Sequence, residues 1–244
     1  MKKITALLAA AVFLAGGSAS AYDLAALTAK SLSQSYSYQA IPGTETLSFA
    51  GGTISYRMGQ LTKIMPKAKK FSSGYIIEAQ LPQSAAEALK PLFRLNPGEE
   101  QWEKLIRLNR IFMDPDSFMR KDMQKTMMGL AVNAMGPMAE KNVTVEISGI
   151  EPFRRLSADE AYVFTAGARI TFNAQGLILP MYSRAYFFPS GDRQNLDVLM
   201  LFTPDEGKGP LVYAIDDLAK EAAKSELLGS AGYKDLGELL AKKE

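Results

Sequence analysis

The sequence contains no cysteine, no histidine and one tryptophan among its 244 residues. Without cysteine there is no disulfide, so packing alone must hold the fold, and no cysteine is present to carry a lipid anchor. Without histidine, Ser-His-Asp and Cys-His nucleophile systems are excluded. Zinc sites built from Cys and His are excluded too, leaving oxygen ligands or methionine sulfur. Acid–base chemistry near neutral pH falls to Asp, Glu, Lys or Tyr with shifted pKa values. No apolar run after residue 21 is long enough to cross a bilayer, so no transmembrane segment is expected. Charge of one sign is also lacking. The 28 Lys+Arg and 26 Asp+Glu include Lys2 and Lys3 in the first 21 residues, which leaves 26 of each beyond them. A neutral chain offers no sequence-wide field for nucleic acid, and none is expected as a partner.

What is present starts with an address. Lys2-Lys3 is followed by the uncharged run Ile4–Leu14 and by Ala19-Ser20-Ala21. This is the layout of a secretory signal peptide, with cleavage expected between Ala21 and Tyr22. Its short apolar run has a bacterial look, which predicts export to the periplasm or beyond. The triplet Asn142-Val143-Thr144 is a glycosylation sequon that such a setting leaves unused.

Along the chain, Leu24, Leu27, Ala29 and Leu32 predict a helix within residues 22–36. Two alternating runs, 47–50 and 53–58, flank Gly51-Gly52 and predict a hairpin. Residues 75–79 read as a strand, and Ser84 caps a short helix reaching about Phe93. Asn96-Pro97-Gly98-Glu99 is a helix start. Trp102, Leu105, Ile106, Asn109, Phe112 and Met113 follow at spacings of three and four. Asp114-Pro115-Asp116 breaks that helix and opens another, with Asp116 able to cap it. Gly136-Pro137 closes it, so residues 97–140 form a helical hairpin among strands. Further strands are expected at 143–147, 161–164, 169–172, 181–188 and 196–202. A last helix carries Leu211, Ile215, Leu218 and Ala222 on one face. The implied layout is a signal peptide at 1–21, one α+β domain at 22–228 with 97–140 inserted, and a tail at 229–244. Its fold class is α+β, an antiparallel sheet packed by helices.

Residues 186–192 (Tyr-Phe-Phe-Pro-Ser-Gly-Asp), 196–201 (Leu-Asp-Val-Leu-Met-Leu), Pro204 and the helix from Leu211 resemble the C-terminal hairpin and helix of Mog1/PsbP-like domains. The resemblance extends to the small bacterial envelope proteins of the DcrB type. It covers residues 180–222 and implies a sandwich of antiparallel sheet between helices. The helical segment 97–140 departs from it. That family has no shared catalytic constellation, so the resemblance assigns no site residue.

Two sets of residues stand out as a ligand or partner surface. Tyr182, Tyr186 and Phe188 alternate along one strand face and would line an apolar groove if no helix covered them. Met119, Met123 and Met127 lie four apart on one helix face. They suit Cu(I), an adaptable partner surface, or plain core packing completed by Leu130 and Ala134. The acid pairs Glu99-Glu100, Asp114/Asp116, Asp159-Glu160 and Asp216-Asp217 each have a plainer role at a helix end, a turn or an exposed helix face. Lys63, Lys67, Lys69 and Lys70, and Arg154-Arg155, form two basic clusters whose default reading is a solvated face, with phosphates, acidic glycans or lipid headgroups as the functional alternative. No catalytic residue, metal ligand or cofactor-binding motif is assigned, and no cofactor is expected. The leading expectation is a non-enzymatic binding or accessory module for an envelope protein or a small molecule. A carboxylate-based hydrolase or lyase and a structural envelope component are the alternatives.

Overall fold

The spacing of Leu24 and Leu27 forms the first helix, α1 (Leu24–Ser31), whose cap is Asp23: its carboxylate accepts from the Ala25 and Ala26 amides. The computed structural model of the protein describes residues 22–49, 52–81, 99–156, 163–191 and 195–231. The expected signal peptide, the helix after Ser84, the Asn96-Pro97 helix start, the Asp159-Glu160 turn and residues 232–244 lie outside the described residues. α1 ends sooner than its sequence pattern suggested. Ser33-Gln34-Ser35 breaks it, and the chain is already extended at Tyr36.

Three strands follow: β1 (Tyr36–Phe49), β2 (Gly52–Met65) and β3 (Lys70–Gln80). Two helices come next, α2 (Glu99–Met113) and α3 (Phe118–Met135), and then one turn, α4 (Ala139–Asn142). Ser117, rather than Asp116, caps α3 by accepting from the Arg120 amide. Four strands, β4 (Val143–Arg155), β5 (Phe164–Ala174), β6 (Leu177–Pro189) and β7 (Leu196–Pro204), lead to α5 (Gly209–Ala231). All seven strands join one antiparallel sheet in the order β1-β2-β3-β7-β6-β5-β4. The class is therefore α+β. The two meanders meet where the last strand, β7, slots beside β3 as the middle strand.

Several strands outrun their sequence signals. β1 continues through Pro42-Gly43, where its pairing with β2 shifts between Ile41 and Glu45. An edge strand tolerates a proline because one row of its amides faces no partner. β5 is one strand rather than two. Gly167 sits in register opposite Arg184 without breaking it.

Alternation sends side chains to two faces. On one face, α1 and α5 pack over Leu61, Ile76, Leu199, Leu201, Tyr186 and Phe188. Leu211, Ile215 and Leu218 of α5 are buried in that same cluster. On the other face, α2 packs on Phe153, Phe164 and Ala166, and α3 packs on Ile147, Ala168, Ile170 and Phe202. α3 runs along β4, with Met123 near Ile150, Met127 near Ile147 and Ala131 near Val143. It also touches β1, the opposite edge. A flat sheet of seven strands would hold those edges roughly 29 Å apart. Right-handed strand twist removes the conflict by curling two opposite corners of the sheet toward the same face. The far half of the β1–β2 hairpin is one such corner. There the Asn133 side chain reaches the buried Tyr56.

Candidate functional site

Tyr182, Tyr186 and Phe188 lie where the sequence placed them, on one face of β6, and all three are buried. α5 covers Tyr186 and Phe188, which form the floor on which the helix sits, and Lys208, just ahead of α5, lies over the Tyr182 ring. A ligand would reach that floor only if α5 lifted. Phe188 meets Tyr22 at a ring-centroid distance of 5.9 Å.

The same alternation puts Arg184 between the two tyrosines, on the covered face and only 6% exposed. A buried guanidinium demands partners, and it has gathered them. Its Nε donates to Thr165 Oγ1 at 3.1 Å. Its Nη2 lies 3.2 Å from Asp216 Oδ1, and its Nη1 lies 3.9 Å from Glu151 Oε2. The Nη2 contact is an ion pair without the alignment of a hydrogen bond. The tyrosines complete the set: Tyr182 donates to Glu151 Oε1 at 2.8 Å and Tyr186 to Asp216 Oδ1 at 2.6 Å. Gly167 leaves the room required, since a Cβ there would come within 2.9 Å of both Glu151 Oε2 and the Tyr182 hydroxyl.

Burial, reinforced by the adjoining carboxylates, holds both phenols well above their usual range, so they act as neutral donors. Burial alone would weaken the Arg184 charge. The oxygens of Tyr186, Asp216 and Tyr182 reverse that and raise its pKa. On the β7–α5 turn, Asp205 pairs with both Arg169 and Lys208, and Lys208 stands 4.0 Å over the Tyr182 ring. The cluster thus ties three strands to the first turns of α5. Of its carboxylates only Glu151 keeps a substantial share of its surface in water.

Asp216 was expected on an exposed helix face. It turns inward instead, while Asp217 points out and pairs with Lys220. Arg184 and Glu151 were not singled out in the sequence. The available signal was a charge at an alternate position among Tyr182, Tyr186 and Phe188, on a face otherwise apolar.

Met127 is buried against the sheet and Met123 is half-buried beside it. Met119 lies on α3, but its side chain is outside the described residues. Among the described residues there is no group of three or more acids that could hold a metal ion. Lys67, Lys69 and Lys70 are exposed around the β2–β3 turn, and Lys63 stands 4.0 Å over the Tyr36 ring. Arg154 and Arg155 end β4 at the opposite end of the sheet, so the two basic clusters do not merge.

α2 divides its apolar residues. Leu105, Leu108 and Phe112 pack on Phe153 and Phe164, and Asn109 holds the β4 backbone by exchanging hydrogen bonds with Phe153 at 2.8 and 2.6 Å. Trp102, Ile106 and Met113 form a second stripe that stays largely in solvent, with Trp102 at 53% exposure. No described helix is long and apolar enough to cross a membrane. Comparison of the chain with models of known protein families, with curated proteins and with solved structures gave no match.

Proposed function

We propose that the chain is a non-enzymatic binding module of the cell envelope that docks a partner protein on the exposed flank of α2. The observation that carries this reading is the stripe Trp102, Ile106 and Met113. These are large apolar side chains at positions i, i+4 and i+11 of one amphipathic helix, left uncovered while the adjacent stripe is packed. Clustered exposed apolar residues that include tryptophan are the composition of interface anchors. Neighbouring Glu103, Arg107 and Arg110 supply a polar rim. The envelope address rests on the signal-peptide layout of residues 1–21. Kinship with Mog1/PsbP-like domains rests on the pattern at 180–222, and an antiparallel sheet with helices on both faces is compatible with it.

The test is a photo-crosslinking residue placed at Ile106 in the producing cell, with Thr144 on β4 as the control position. A specific adduct to another envelope protein from position 106, lost when Trp102→Glu is added, supports the reading. Adducts only between copies of the chain would make it a self-associating structural component. The absence of any adduct specific to position 106 would refute the docking role. N-terminal sequencing of exported material starting at Tyr22 would support the address, and an intact Lys2-Lys3 would overturn it.

A further inference from the structure

Among the described residues six exposed large hydrophobic side chains lie away from α2, and four of these sit at two turns at one end of the sheet. Ile64 and Phe71 form a cross-strand pair beside the β2–β3 turn, and Phe71 is 74% exposed. Leu177 and Ile178 open β6 directly after the β5–β6 turn and are also exposed. Register places both turns at the same end. β3 pairs with β7 through Tyr75 and Phe202, and β6 pairs with it through Met181 and Pro204. Residues 64–71 and 174–178 therefore both project past the end of β7, two strands apart.

The charge at this end is lopsided. Lys67, Lys69 and Lys70 ring the first turn and are exposed. Among the described residues, none of them is engaged in an ion pair. The nearby β7–α5 turn, held to β3 by the Ser72 hydroxyl donating to Gly207 O at 3.1 Å, brings Asp205 and Glu206. Asp205 is already engaged by Arg169 and Lys208, which leaves Glu206 as the opposing charge on that turn, while α4, joined to the β5–β6 turn by Gln175 donating to Asn142 Oδ1 at 3.0 Å, adds Glu140 beside Lys141. Three lysines interleaved with uncovered Ile and Phe fit a surface that offers anionic headgroups above a hydrocarbon layer. A soluble polyanion would use the lysines alone and would leave the four apolar side chains in water. Lysine stems also let the ammonium groups stay at the headgroup level while the apolar tips go deeper.

We propose that this end of the sheet is a membrane-docking surface: the β2–β3 turn binds anionic phospholipid through Lys67, Lys69 and Lys70 and inserts Ile64 and Phe71, with the β5–β6 turn as a second prong. The surface is separate from the α2 flank, and its test does not depend on that flank.

The full chain is sedimented with vesicles of phosphatidylglycerol mixed with phosphatidylethanolamine, and with vesicles of phosphatidylcholine alone. Binding is expected only to the anionic vesicles, and high salt should weaken it. Replacing Lys67, Lys69 and Lys70 together by Gln should lower affinity about a hundredfold, at about fivefold per lysine near an anionic surface. Ile64→Ser with Phe71→Ser should lower it at least about tenfold. Replacing Lys121 and Lys125, exposed on α3, by Gln should leave it unchanged. Because the chain has no cysteine, Phe71→Cys accepts a single environment-sensitive dye. Its emission should shift to the blue on anionic vesicles and be quenched by quenchers carried on lipid tails. No binding to anionic vesicles, or binding indifferent to the lysine changes, overturns the proposal. Binding that a soluble polyphosphate abolishes, with no dye shift and no effect of the Ile64 and Phe71 changes, also overturns it and marks a polyanion site instead.

Discussion

Tyr186 on β6 donates its hydroxyl to Asp216 on α5 at 2.6 Å, from a side chain that water does not reach. The same carboxylate oxygen faces Arg184, so one acid on the last helix answers two groups of the sheet below it. Removing the guanidinium strands that acid. Arg184→Met should cost about 3–5 kcal/mol, the range for breaking a buried pair from one side. Asp216→Asn should cost less, because Thr165 and Glu151 still hold Arg184. The double variant should cost less than the sum, with a coupling of about 1–3 kcal/mol. Urea unfolding of the four proteins gives the cycle, and additive costs would show that the cluster is not a unit.

A second acid carries a pH signature. Glu78 on β3 is largely buried. Burial raises its pKa, while the Arg57 charge and the bond from the Tyr38 hydroxyl at 3.0 Å pull it back without cancelling the shift. The folded state therefore takes up this proton more readily than the unfolded chain. The stability that Glu78 contributes is fully present below its ordinary value of 4.5 and is lost as pH rises through the raised folded value. Glu78→Gln keeps an acceptor for Tyr38 and removes the titration. The stability of the variant relative to wild type should thus increase from acidic to neutral pH in urea unfolding. A difference that is flat, or that falls as pH rises, would assign the titration to another group.

Met127 and Met123 share a helix face but not an environment. Met127 is 5% exposed among Ile147, Ala168, Ile170 and Phe202. Met127→Ala should cost about 2–5 kcal/mol, the range for a buried methionine. Met123→Ala should cost ~1–2 kcal/mol, because its side chain is already partly in water. Calorimetric titration with Cu(I) is the complementary measurement. Stoichiometric binding lost in both variants would move these residues from packing to ligation.

The parts of the fold that were legible in the sequence were those specified by neighbours. Tyr182, Tyr186 and Phe188 alternate, Pro189-Ser190-Gly191 turns the chain, and Leu211, Ile215 and Leu218 recur at helical spacing. Each is a local pattern, and each became the element it described. Pro42-Gly43 obscured β1, because a proline argues against a strand unless that strand lies at an edge, and edge position is decided by the rest of the sheet. The slot of β7 beside β3 was illegible for the same reason: it joins residues more than a hundred positions apart. The polar cluster was half legible. Its tyrosines stood out by alternation, whereas Glu151 and Asp216 gain their roles only when β4 and α5 are brought to Arg184. α2 misled in a different way. Its apolar positions form two stripes, and nothing local says that one of them stays uncovered.

The position of β7 carries the last prediction. It is the middle strand of the seven, hydrogen-bonded on both sides, with Leu199 and Leu201 under α5 and Phe202 against α3 on the other face. The amides of Val198 to Phe202 open only when both meanders separate. They should therefore exchange with solvent at rates set by global unfolding, while the outward-facing amides of the edge strand β1 exchange far sooner. α5 is the cover on which this depends. Burial of Leu211, Ile215 and Leu218 contributes on the order of 5–8 kcal/mol, comparable with the whole net stability of a typical domain. Ending the chain at Gly207 should accordingly abolish cooperative unfolding. The alternative centre is α3, which touches both edge strands and closes the curled face of the sheet. If its amides are the slowest and those of β7 open earlier, the sheet is assembled around α3. The unit formed by β6, β7 and α5 then folds onto it afterwards.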